Sequence, residues 1–170
     1  MNIHPIFVHF PIALLLVYSF FEVVRIKKWQ RTTWITPIKA ILVSIGVLFA
    51  FVSLSTGEAA EHLIGDVRLQ SLVETHSFFA TVTTYVFLLI GIGYISEYLL
   101  ASSWQSKIPR QVLRILQWYS HSFMGKRTRV VAAIIGGVAV TITGALGGAI
   151  VYGPAADPFV WFVYKLFFSF

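Results

Sequence analysis

Four long apolar runs, separated by short charged connections, set the expected architecture. The first extends from about Ile6 to Val24 with Glu22 as its one charge up to that point, and the second from about Ile38 to Thr56, uncharged from Ala40 onward. The third covers roughly Ser77 to Leu99, and the fourth Val130 to Tyr152, without a charged residue. At ~1.5 Å of rise per residue, about 20 helical residues cross a hydrocarbon core ~30 Å thick. The pattern therefore predicts an all-α, integral membrane four-helix bundle in a single domain, residues 1–170.

Two shorter stretches read as interfacial helices. Over 109–123, Val112, Leu113, Ile115, Leu116 and Trp118 interleave with Gln111, Arg114 and Gln117, a basic amphipathic pattern suited to the inner leaflet. The aromatic stretch over 158–170 reaches only about 20 Å as a helix. It should lie on the outer interface or over the mouth of the bundle, with Lys165 snorkelling to water. Local punctuation agrees. Pro5 suits a first helical position, while Pro11 removes the bond to the Phe7 carbonyl and predicts a bend near His9. Tyr152-Gly153-Pro154 should end the fourth span, and Asp157-Pro158 reads as a cap followed by a first-turn proline.

Charge is distributed by connection. Arg25, Lys27, Lys28 and Arg31 follow the first span, and Lys107, Arg110, Arg114, Lys126, Arg127 and Arg129 follow the third. The connection after the second holds Glu58, Glu61, Asp66 and Glu74 against Arg68. The positive-inside rule then makes the basic connections cytoplasmic and sets both termini and the acidic connection outside. Composition fits: 57% of residues are hydrophobic and 12% charged, with mean hydropathy +0.79, unlike a soluble domain. The net charge of +6 is explained by the loops, so nucleic acid is not an expected partner. The start has neither a basic region nor a small-residue cleavage pattern, so the first span is expected to be retained. With no cysteine, disulfides, cysteine-ligated clusters and covalent haem attachment are excluded.

This topology gathers the histidines. His4 and His9 enter the first span, His62 leaves the second and His76 enters the third, all towards the outer face with Glu58, Glu61 and Glu74. His121 falls at the inner side and reads as a solvated residue. Neutral imidazole ligates haem iron and first-row metals alike. The plainer account of each histidine is an interfacial anchor or hydrogen-bonded cap, with His62 pairing to Glu58 one turn earlier. His9 and His4 lie five positions apart, about 140° round the helix, so they should serve different neighbours. Glu22 and Glu97 are expected to pair with Arg25 or Lys28 or to snorkel, which leaves no proton path through the middle. Gly144 and Gly148 have small-xxx-small spacing, read as close helix packing or as space for a flat macrocycle.

The opening His4-Pro5-Ile-Phe-Val-His9-Phe10-Pro11-Ile12-Ala13-Leu14-Leu15 carries a resemblance. So do Thr56-Gly57-Glu58-Ala-Ala-Glu61, His76 and Gly147-Gly148-Ala-Ile-Val-Tyr152-Gly153. Together they resemble a bacterial four-span inner-membrane family of unknown function. The resemblance covers nearly the whole chain and implies a multi-pass protein of the bacterial inner membrane, with His4, His9, Glu58 and His76 as the positions to watch.

The function these readings favour is electron transfer by a b-type haem at the outer face, ligated by His9 and His76, with His4 or His62 as the substitute partner. Such a protein is an electron carrier or accessory subunit rather than a stand-alone enzyme. Its expected partners are the lipid bilayer, other membrane redox subunits and a periplasmic electron carrier or quinone. One alternative is a non-haem copper, iron or zinc site built from His4, Glu58, Glu61, His62 and His76. Another is a cofactor-free accessory subunit.

Overall fold

The computed structural model describes residues 4–61 and 69–168, and among these all regular structure is helical. The order is α1 (His4–Val23), α2 (Lys27–Gln30), α3 (Ile35–Glu61), α4 (Gln70–Ala101), a 3-10 turn (Ser103–Lys107), α5 (Arg110–Phe123), α6 (Lys126–Tyr152) and α7 (Pro158–Phe168). Among these, α1, α3, α4 and α6 are long and apolar enough to cross a membrane. Around the bundle α1 lies against α3 and α6, and α4 against the same two. The chain therefore runs up and down, each span beside the next.

The end of α6 and the start of α7 fall where local chemistry puts them. Gly153 closes α6 at φ +88°, a conformation that favours glycine. Asp157 caps α7 by accepting from the backbone N–H groups of Phe159 and Val160 at 2.8 and 2.9 Å. Pro11 is buried and α1 runs through it as one helix. The spans α3 and α4 exceed the apolar runs, because their extra turns find partners. Leu72 and Val73 in the first turn of α4 are buried, Leu72 in a cluster with Leu146, Ala149, Val160 and Val163. Thus α7 folds back over this end, where Phe167 meets Phe79 with ring centroids 5.2 Å apart.

The central core joins Leu15 and Tyr18 of α1 to Val43 and Val47 of α3, Phe87, Ile90 and Tyr94 of α4, and Ala133 of α6. Tyr18 presents its ring edge-on to both Phe87 and Tyr94, at 5.9 and 6.1 Å. Close helix approach requires glycine at two places. A Cβ at Gly46 would lie 2.5 Å from Leu15 Cδ2, and one at Gly136 would lie 2.7 Å from the Phe87 ring. Outward positions are apolar: Ile41, Ile45 and Leu48 on α3, and Val131, Ile134, Ile135 and Val138 on α6, are exposed at helical spacing. Such stripes suit contact with lipid chains. Basic residues concentrate at the end where α1 stops and α6 starts; His4 and the start of α4 occupy the other.

Candidate functional site

At the end where α1 begins, the ring of His4 is half-buried against the last turns of α3. Its Nδ1 lies 3.0 Å from Thr56 Oγ1. That hydroxyl directs its own proton to the helix carbonyl of Val52, 2.9 Å away. It is therefore the acceptor and the imidazole the donor, with the Ser53 carbonyl also bonded to the ring. His4 stands just outside the apolar stretch Ile6–Val23. Burial pushes its pKa below the ordinary histidine value, and the Ser53 hydrogen bond opposes this in part.

His76 occupies the corresponding place between α4 and α6. Its Nδ1 lies 2.9 Å from the carbonyl oxygen of Thr143, which accepts only, so Nδ1 carries the ring proton. Glycine makes room for each ring. A Cβ at Gly57 would meet His4 Cε1 at 3.1 Å, and one at Gly147 would meet His76 Cε1 at 3.2 Å. Both rings lie at the end of the bundle where α1 and α4 begin. Each ring thus has its Nδ1 hydrogen-bonded to a neighbouring span, α3 for His4 and α6 for His76.

His9 is exposed on α1, on a face different from that of His4, while its neighbour Phe10 stacks on Phe49 at 4.8 Å. Glu58 is exposed, and Glu74, also exposed, accepts from Gln70 Nε2 at 3.3 Å. Glu61 ends α3. His62 lies outside the described residues, as does its expected pairing with Glu58. His121 is exposed on α5. Among the described residues no three His, Asp or Glu side chains converge as a metal-binding group. Gly144 and Gly148 border a groove of ≈ 390 Å³ between α1, α6 and α7, whose walls contain no histidine among the described residues.

Sequence reasoning missed a second polar cluster, at the basic end. Glu22 is buried, and its main partner is Lys39 of α3, whose Nζ lies 2.8 Å from Oε2. Arg25, the expected local partner, is 4.0 Å away, and Arg129 of α6 lies 3.9 Å from the same Oε1. Arg129 also reaches Glu97 at 3.6 Å and stands over the Tyr94 ring. All four spans thus contribute to one network. Its sequence signal was Lys39 at the head of an apolar run, a cation too deep to be left unpaired.

No protein-family model, curated protein or solved structure matches the chain. The family resemblance accordingly rests on the quoted motif residues alone.

Proposed function

We propose that the protein is a membrane-embedded electron carrier holding a b-type haem through His4 and His76. His4 takes the place of His9 as the α1 ligand, because the His4 ring is hydrogen-bonded to α3 at the end of the bundle where α4 begins. The observation that carries the reading is the commitment of both Nδ1 atoms to acceptors on adjacent spans. Such hydrogen bonds fix the tautomer, hold the ring plane and raise the basicity of the ligating nitrogen. Haem, when bound, supplies a one-electron iron centre, and two imidazoles leave it no open position for oxygen. A pair of ligands also suits a group that brings its own four nitrogens better than it suits a bare metal ion.

The basic end is assigned to the cytoplasm by the positive-inside rule, which puts the histidine end at the outer face of a bacterial inner membrane. There it exchanges electrons with a periplasmic carrier, a quinone or a neighbouring redox subunit. A cofactor-free accessory subunit is the second reading, favoured by the fact that the same two hydrogen bonds tie α1 to α3 and α4 to α6. Absorption spectroscopy and metal analysis of the detergent-purified protein separate the two. Bound haem with a low-spin spectrum is the expected result. Protein that neither carries haem nor takes it up on reconstitution overturns the first reading in favour of the second.

A further inference from the structure

At the basic end a groove of ≈ 260 Å³ opens between α4, α5 and α6. Its walls are almost wholly apolar, with Leu89, Ile90, Phe123, Met124, Ala132 and Ile135 among them, and its polar rim includes Thr128 and Arg129. At the groove α5 is tied to α4 by the Tyr119 hydroxyl, which donates to the Leu89 carbonyl at 2.6 Å. Beside it, α6 starts with Lys126-Arg127-Thr128-Arg129, with neither an acidic residue in the first turn nor a side-chain cap. Lys126 and Arg127 are exposed. Cations at the positive end of a helix dipole are unfavourable, the reverse of the usual arrangement. An anion there offsets that cost.

Residue types typical of the headgroup level surround this rim. Trp104 and Trp118 are exposed at the same end, and Lys107 lies over the Trp104 ring at 5.0 Å. Indole rings and lysines so placed mark the membrane–water boundary. An occupant that satisfies both the rim and the walls is anionic at its head and apolar along its length.

The geometry points to a binding site for one anionic phospholipid, its phosphate against the start of α6 and an acyl chain in the groove between α4, α5 and α6. A free phosphate satisfies only the rim, and a zwitterionic lipid fills the walls but brings a phosphate whose charge its own headgroup cation balances.

The test is thermal unfolding of the full-length detergent-purified protein with added phosphatidylglycerol, with phosphatidylcholine of the same chains, and with inorganic phosphate. Phosphatidylglycerol should stabilise the protein at concentrations where the other two do not. Lys126→Gln and Arg127→Gln should each weaken its apparent affinity roughly fivefold, the effect expected per surface cation. Both residues lie outside the Glu22 network and are exposed, so the variants should fold. Ala132→Phe, which fills the groove, should abolish the lipid effect while keeping the helical circular dichroism. Equal stabilisation by the two lipids, full stabilisation by inorganic phosphate, or unchanged affinity in both charge variants would overturn the proposal.

Discussion

Lys39 Nζ lies 2.8 Å from Glu22 Oε2, joining α3 to α1 with side chains only 5% and 1% exposed. The residues are separated by 17 positions in sequence, so the pair acts as a tertiary tie rather than a local one. Removing one member of a buried pair leaves a charge with too few partners, typically at about 3–5 kcal/mol. The two members are not equivalent here. Glu22→Gln leaves Lys39, Arg25 and Arg129 facing one another, whereas Lys39→Met leaves Glu22 with both arginines close by. Glu22→Gln should therefore lower the unfolding midpoint more than Lys39→Met, and the double variant should recover part of the loss. Equal effects would show that Arg25 and Arg129 do not share the carboxylate.

The glycines supply a second prediction, because the space around them differs. Gly46→Ala drives a Cβ into Leu15 and should destabilise by roughly 1–3 kcal/mol as an overpacked contact. A Cβ at Gly144 comes no nearer than 3.7 Å to Ile12 Cδ1, so Gly144→Ala should stay within about 0.5 kcal/mol of the parent. Unfolding midpoints of the two variants check this directly.

The ligand shell gives a third. Thr56→Val removes the hydroxyl that accepts from His4 Nδ1, and Gly147→Ala presses on the His76 ring. Each should weaken haem binding by on the order of tenfold or more without losing helical content. An affinity unchanged in both variants, read from a haem titration, would mean that neither ring is a ligand.

The pH dependence of the haem-free protein is a fourth. Burial holds the folded-state pKa of His4 below its ordinary 6.5, so the unfolded chain takes up a proton first as the medium is acidified. Stability from the neutral ring is fully present above pH 6.5 and is lost as pH falls from there towards the folded value. His4→Asn, which keeps a donor for Thr56, should show a shallower decline in unfolding midpoint below pH 6.5.

Much of this fold was legible in the chain because a bilayer demands long apolar helices, and four of them stand out. The cap at Asp157, the stop at Gly153 and the amphipathic α5 followed from local chemistry alone. The polar tertiary contacts did not. Spacing placed His4 and His9 on different faces, but only the seating of α1 on α3 decides which face meets Thr56. The glycine pattern had the same limit. Gly144 and Gly148 carry the familiar spacing yet border a groove, while Gly147, Gly57 and Gly136 are the positions pressed by a ring. The pairing of Lys39 with Glu22 is not legible in the chain because ion pairs between spans have no sequence period.

The most direct test of the paired-imidazole site is a haem titration of the purified apoprotein, followed by absorption and electron paramagnetic resonance, in the parent and in His4→Ala, His76→Ala and His9→Ala. The expected result is one low-spin haem per chain in the parent and in His9→Ala, with loss of low-spin ligation in both of the other variants. Low-spin binding that survives the loss of His4 and of His76, or that depends on His9 instead, would contradict it.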